Sequence, residues 1–447
     1  MGLGHFLRAR VFAHGVHTPQ NKDVTNRLPV RRLPFASRMI LPLDQHIGKP
    51  SIPIVNVRQE VVRGEPLARA DGFMSVPIHA PATGMIESIE LMPTARGPKT
   101  MSIVLRVHPG SNQEVLYGMP QDIDSMSPEE IIQAVQDSGL VGLGGAAFPC
   151  HVKLCVPEGH NVDTLMVNGC ECEPYLTTDH RVMVENTDDL LRGVEIARRA
   201  AGAQQAVIGI EDNKQDAYEA IRAKLPKDGH IRVATVPTKY PQGSEKLLIS
   251  VLLGREVPSG GLPSEVGVLV NNVGTLAKLG ELLPAGQTLI ERVVTIAGPG
   301  VKKPGNYIIP IGTPLRFVMQ QVGFTGSAQR VILGGPMMGA AVASLDVPVT
   351  KGVTGLLAFS SATSIEESSR KIYHCIKCGK CLEACPLHLN PSQLGLLAAK
   401  RQYETMAERY HLFDCFECGC CSYVCPAGIP LVQYFRVAKS VNREKAA

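Results

Sequence analysis

Eight cysteines near the carboxyl end fall into two copies of one spacing, CIKCGKCLEACP from Cys375 and CFECGCCSYVCP from Cys415. Each copy reads C-x₂-C-x₂-C-x₃-C and closes with proline. Four thiolates arriving from different directions suit a cuboidal iron–sulfur cluster, and the C-x₂-C-x₂-C turn supplies three by wrapping its backbone round the inorganic core. The fourth, held before a chain-breaking proline, points away and ligates the other cluster. The spacing therefore assigns one 4Fe–4S cluster to Cys375, Cys378, Cys381 and Cys425, and a second to Cys415, Cys418, Cys421 and Cys385. Gly379 and Gly419 stand where the backbone is expected to approach the sulfides closely. Zinc motifs rarely carry this third, evenly spaced cysteine. Disulfides belong to secreted chains, and the opening MGLGHF is expected to be neither a secretory signal nor a myristoylation site. Cys420 lies off the pattern and reads as a spare thiol.

Two loops farther upstream could hold a ligand. GLVGLGGAAFP brings Gly139, Gly142, Gly144 and Gly145 together just after a helical stretch. Such density lets main-chain N–H groups face a planar or anionic ligand, although a tight turn would use the same residues. It is neither a Walker loop nor G-x-G-x-x-G. Lys153 stands eight residues beyond Gly145, available to a phosphate or simply to solvent. NGCECEPYLTTDH follows the strand-like TLMV, at the carboxyl end where open α/β sheets bind ligands. There Asn168, Glu171 and Glu173 offer an amide and two carboxylates, with solvated loop acids as the alternative. Cys170 and Cys172 form a C-x-C that is a poor metal signal alone, and no role is read for Cys150 or Cys155.

The elements that must carry these loops follow from period and punctuation. Short alternating runs from residue 52 to about 107, such as MIESIEL and MSIVLRV, are broken by Gly and Pro and predict a small β barrel or sandwich. IHAPATGMIESIE resembles the turn of lipoyl and biotinyl carriers, but no lysine sits there to be modified. SPEEIIQAVQDSG predicts a helix with Ser127 as cap, Pro128 in the first turn and Glu130 reaching back. TLMVNG, DDLLRGVEIARRAAG, QAVIGIED, KQDAYEAIRAKL and HIRVATVP alternate strand and helix, which implies a parallel sheet. EKLLISVLLG adds a helix, and residues from about 290 to 360 return to short strands. Beyond Ser360 the pattern is helical around the cysteine loops. At 447 residues three or four domains are expected. A net charge of +4 from 45 basic and 41 acidic residues is too weak to argue for nucleic acid. No apolar run approaches the ~18 residues of a membrane span.

The order GLGGAAFP with Lys153, then VNGCECEP, KYPQGSE and NNVGTLA resembles the flavin-binding subunit of respiratory complex I. With the amino-terminal β domain and the doubled cysteine motif, nearly the whole chain resembles the RnfC subunit of the Rnf electron-transport complexes. That resemblance implies FMN held by Gly142, Gly144, Gly145 and Lys153, with Lys153 at its phosphate. It puts Asn168, Glu171 and Glu173 on the isoalloxazine and nicotinamide side, the two glutamates being the catalytic candidates. Tyr240, Gly243, Glu245, Asn271, Asn272 and Thr275 would complete the pocket. Leu143, Ala147, Cys170 and Ser244 depart from the complex I pattern, replacing an arginine, a glycine, an aspartate and a glutamate. IAGPGVKKPGNYIIPIGTPL resembles the family's soluble-ligand-binding β-grasp domain.

The resulting expectation is a multidomain α/β chain. Residues 1–120 form an N-terminal loop and β barrel-sandwich, 121–285 a Rossmann-like FMN and NADH domain with a parallel sheet, 286–362 the β-grasp domain, and 363–447 an α-helical ferredoxin domain. The family implies a peripheral subunit on the cytoplasmic face of the bacterial inner membrane. Its partners there would be membrane-embedded subunits and a ferredoxin-like iron–sulfur subunit, with NAD(H) as substrate. Two rival readings stand beside it, a microcompartment cobalamin reductase and an electron relay without NADH activity of its own.

Overall fold

A computed structural model describes residues 11–95, 97–324, 326, 328–360 and 371–446. The opening MGLGHF segment and residues 361–370, where the helical pattern was expected to begin, lie outside them. Four sheets and a helical carboxyl-terminal unit follow one another, tied together by an N-terminal strap.

The strap, residues 11–30, has almost no regular structure of its own. Val16 pairs with Tyr240 across a single antiparallel bridge. Farther on, strand Arg31–Arg32 joins the edge of a distant sheet, in parallel with Tyr307 and Ile308. The alternating runs that follow form two small antiparallel sheets. One has the order Arg38–Pro42, Lys99–Val107, Gly84–Pro93, Glu60–Val61, and the other Ile52–Pro53, Pro66–Arg69, Ile78–His79. Met39, Leu41, Leu67, Ile78, Ile86, Ile103 and Leu105 are buried among them. Burial does not follow the alternation strictly: residues 39–42 and 102–105 are buried without a break, so the middle of these two strands is covered on both faces, while Gly84–Pro93 stays largely open to solvent.

Helix Pro128–Asp137 begins with the expected reciprocal cap, in which Ser127 Oγ accepts from Glu130 N and Glu130 returns a bond to Ser127 N. The next sheet is wholly parallel, with order Ile231–Val236, Gln205–Glu211, Thr164–Gly169, Val268–Asn272. The chain therefore builds outward from Thr164–Gly169 and then returns to its other side. That reversal opens a crevice at the carboxyl ends of Thr164–Gly169 and Val268–Asn272, where Asn168 and Asn272 are register partners. Helices Thr187–Ala200 and Val273–Leu282 cover one face. A Cβ on Gly193 would collide with the Leu276 carbonyl, so the helices approach only because that position is glycine. Glu245–Leu253 packs against Gly209 on the opposite face.

The third unit is a mixed six-stranded sheet, Arg31–Arg32, Gly305–Pro310, Glu291–Ala297, Gly355–Ser360, Ala328–Leu333, Ala340–Ala341, with helix Leu315–Gln321. Lys351 of this unit is fully buried and donates to the carbonyls of Pro77 and Gly139, each at 2.7 Å. One ammonium thus joins three units, and burial pushes its pKa down to about 7.

The carboxyl-terminal unit is helical, as its pattern predicts. Helices Pro391–Ala399, Tyr403–Tyr410 and Leu431–Ala446 enclose Leu394, Leu397, Met406, Leu412 and Phe435. Each cysteine loop feeds a one-turn helix, Lys380–Glu383 or Cys420–Tyr423, through a left-handed glycine. Gly379 has φ +79° and Gly419 φ +85°. The positive φ alone favours glycine at both positions. At Gly419 a side chain would also meet the Met337 carbonyl at 2.9 Å.

Candidate functional site

The glycine loop hangs between Asp137 and helix Cys150–Leu154 and is pinned from behind. Leu143 N donates to Thr275 Oγ1 at 2.8 Å, and Arg292 Nη2 donates to Leu143 O at 3.0 Å. Gly144 and Gly145 are exposed, and Gly144 packs against the side chain of Asn272. Their main-chain groups are therefore bare toward the crevice. Lys153 projects from the short helix and forms an ion pair with Glu245, the first residue of Glu245–Leu253.

Asn168, one residue before the end of strand Thr164–Gly169, has both amide atoms engaged. Nδ2 donates to Gly243 O at 2.8 Å and Oδ1 accepts from Cys170 N at 3.0 Å. A Cβ on Gly243 would lie 2.7 Å from the Cys170 carbonyl, so this approach needs glycine. Asn272 caps helix Val273–Leu282 by accepting from Thr275 N, and donates to Asp179 Oδ2 at 2.6 Å. Asn271 is buried, and its Nδ2 has no protein partner. An orphaned amide at the end of a strand lining the crevice is what a bound polar ring would satisfy. The open glycine backbone, Lys153 and this donor fit a flavin phosphate and ring.

The two glutamates of the acidic loop occupy different settings. Glu171 is buried and accepts from Asp179 N at 2.9 Å and His180 N at 3.3 Å, capping the first turn of Thr178–Glu185. Glu173 accepts from Met337 N at 3.0 Å and Met338 N at 2.8 Å in the third unit. Burial raises its pKa against the pull of those two amides. Both carboxylates are held by backbone donors and fix the loop they stand on.

Residues that sequence reasoning passed over complete the site. Asp179, within the quoted TTDH, is pushed up to about 7 by burial and then by the charge of Glu171. Arg292 is buried behind the glycine loop, and burial lowers its pKa to about 10. Lys22 lies under the acidic loop. Asp179 carried a motif signal, but neither cation had one, because both come from other domains.

Tyr240 leads out of the crevice. Its buried hydroxyl donates to the Cys418 carbonyl at 2.6 Å. Cys420 packs with Tyr240, Val16 and Ala384 in the same apolar seam. The thiols gather in two groups. Cys375, Cys378, Cys381 and Cys425 line one cavity of about 240 Å³. In the other group, burial raises the pKa of Cys415 and Cys421, with Cys418 and Cys385 acting on both. Among the described residues no three His, Cys, Asp or Glu close on a site for a single metal ion. Four thiols spread round a cavity fit a cluster better than a point ion.

Comparison with known proteins follows the same division. A model described as the Nuo51 FMN-binding domain matches residues 135–281, and one described as the RnfC barrel sandwich hybrid domain matches 10–109. An SLBB domain matches 293–341 and a 4Fe-4S dicluster domain 374–429. The corresponding subunit of the proton-translocating ferredoxin:NAD(+) oxidoreductase complex of Clostridium ljungdahlii is 43% identical over 97% of this chain and 94% of its own length. The chain belongs to this RnfC family. The family member from the Na(+)-translocating complex of Acetobacterium woodii is 40% identical over 88% of each chain. The member from the ion-translocating oxidoreductase complex of Pseudomonas aeruginosa is 40% identical over 97% of this chain but only 56% of its own length. Each of these relatives is one component of a multi-subunit complex, and this chain contains an FMN-type domain and a two-cluster domain. A solved NAD+-reducing [NiFe]-hydrogenase in the H2-reduced state shares the fold, with TM-score 0.51 and 20% identity over 75% of this chain and 69% of its own.

Proposed function

We propose that this chain is the peripheral electron-input and -output subunit of an ion-translocating ferredoxin:NAD oxidoreductase, exchanging hydride with NAD(H) at FMN and carrying single electrons through two 4Fe–4S clusters. The observation that carries the reading is the Tyr240 hydroxyl on the Cys418 carbonyl, which joins the nucleotide crevice directly to a cluster loop. A bound flavin supplies the conversion between a two-electron hydride and the single electrons that clusters accept.

The chain's own residues do the positioning. Gly144 and Gly145 present backbone N–H groups, Gly142 closes the loop by donating its own N–H to Phe148 O at 2.8 Å, Lys153 meets the phosphate, and Asn271 offers its free amide. Asn168, Gly243 and Asn272 set the floor, with Thr275 behind it, while Glu245 restrains Lys153. Glu171 and Glu173 fix the loop on the nicotinamide side. Cys415, Cys418, Cys421 and Cys385 hold the cluster next to Tyr240, and Cys375, Cys378, Cys381 and Cys425 hold the outer one.

The outer group lies beside exposed Ile372, Tyr373 and Ile376, 59%, 62% and 67% accessible, with Lys371, Lys377, Lys380 and Lys400 also exposed. An apolar centre within a cationic rim suits an acidic iron–sulfur protein. Among the described residues no helix is long and apolar enough to cross a membrane. We propose that the chain sits at the cytoplasmic face of the inner membrane, held there by membrane-embedded partner subunits. We divide the chain at residues 120, 285 and 362, and read the parallel-sheet unit as Rossmann-like and the third as β-grasp. The barrel-sandwich match over 10–109 favours this reading over a cobalamin reductase.

NADH-dependent ferricyanide reduction by the flavin-loaded chain tests the proposal. Glu173→Gln should keep FMN and iron but lower kcat/KM for NADH. A flavin- and cluster-loaded chain inert toward NADH would leave only the electron-relay reading.

A further inference from the structure

The strap contains a lysine whose every donor is committed elsewhere. Lys22 is 6% exposed, and its ammonium donates to the carbonyls of Glu171 at 2.7 Å, Glu173 at 2.9 Å and Leu176 at 2.5 Å. An ammonium has three N–H donors, so all three are spent on one loop about 150 residues away in sequence. The anchoring continues on either side. Tyr175 N donates to Gln20 O at 2.8 Å, and the hydroxyls of Thr25 and Thr177 are 2.8 Å apart. Three carbonyls that converge in a buried place repel one another and need a cation at their focus. The titratable groups whose charge couples to this ammonium include Glu171, Glu173, Glu211, Lys214 and Cys172.

The strap that carries Lys22 also grips the cluster unit. His14 Nδ1 lies 2.5 Å from Glu383 O, and Gly15 N donates to Ala384 O at 3.2 Å, between Cys381 and Cys385. Nothing in local sequence requires a 20-residue segment without its own sheet to touch both places.

We infer that Lys22 is a positioning residue for the NAD(H) side of the site, fixing the backbone that carries Glu171 and Glu173. The inference rests on reading that loop as the nicotinamide side. Lys22→Met keeps the length of the side chain and removes its donors. In the full chain, loaded with flavin and clusters, it should raise KM for NADH and lower kcat/KM by about tenfold to a hundredfold, with kcat less affected. Hydrogen exchange of peptides spanning 171–177 should rise, while iron and FMN content hold. Unchanged exchange and unchanged KM would overturn the assignment at Lys22 itself. Faster exchange with unchanged KM would also overturn it, and would put the fault in the pocket reading, since the loop would have loosened without NADH noticing. If Lys22→Met does not accumulate folded, Thr25→Val decides. It frees the same junction without emptying the carbonyl cage and should raise KM in the same direction by less; an unchanged KM there overturns the inference.

Discussion

Lys153 gives the sharpest test of the flavin pocket. It pairs with Glu245 at the crevice mouth, with side chains 31% and 42% exposed. Two unit charges ~4 Å apart interact by about 4 kcal/mol at an effective dielectric of ~20. Solvent at this partly open site reduces that figure, so a charge-assisted bond of about 1.5–3 kcal/mol is the working value. Lys153→Met removes the cation and leaves Glu245 unpaired beside the phosphate. Both effects weaken binding, and FMN affinity should fall by about tenfold to a hundredfold. Adding Glu245→Gln should recover part of the loss, because the remaining repulsion disappears. The assay is FMN titration of the deflavinated protein by fluorescence, with iron content as the control. The loss should shrink at high ionic strength. If Lys153→Met binds FMN with unchanged affinity and salt dependence, the phosphate does not sit at Lys153 and the pocket is wrongly drawn.

Three further outcomes follow from the geometry. Cys385→Ser should abolish the cluster completed by Cys415, Cys418 and Cys421 and spare the one nearest in sequence, and Cys420→Ala should leave iron content unchanged; electron paramagnetic resonance with iron analysis distinguishes these. Tyr240→Phe removes the bond to the Cys418 carbonyl at a stability cost of about 1 kcal/mol, and should slow cluster reduction by NADH in stopped-flow while FMN and iron remain. His79 is buried and its pKa is lowered to about 3, chiefly by burial and then by Lys351. Between pH ~6.5 and about 3 the unfolded chain takes up a proton there that the fold refuses, so stability falls as pH drops by up to about 1.4 kcal/mol per unit from this residue. Denaturant titrations of His79→Gln across that window should show a shallower slope, and an identical slope would discount the burial argument.

What could be read in the sequence was what is local. The C-x₃-C-P spacing groups Cys425 with the first cysteine loop, and the same four thiols line one cavity. The Ser127 capping box and the strand–helix alternation of the parallel sheet depend on neighbours within a few residues, and both appear where the pattern puts them. The missing parts are non-local. Arg31–Arg32 looks like a loop until it meets Tyr307, and Lys22 looks like a solvated lysine until three carbonyls close over it. Residue type offers Glu171 as a candidate acid for chemistry; that its carboxylate also accepts from the first turn of a helix beginning seven residues later is legible only in the structure. Burial and partner identity, not residue type, separate those roles.

The most direct test of the central claim is an anaerobic preparation of the intact chain, analysed for iron, sulfide and flavin and then titrated with NADH under paramagnetic-resonance detection. The account predicts about eight irons and one FMN per chain, with NADH bleaching the flavin and reducing the cluster of Cys415, Cys418, Cys421 and Cys385. A chain with both clusters and bound flavin that NADH leaves oxidised would contradict it.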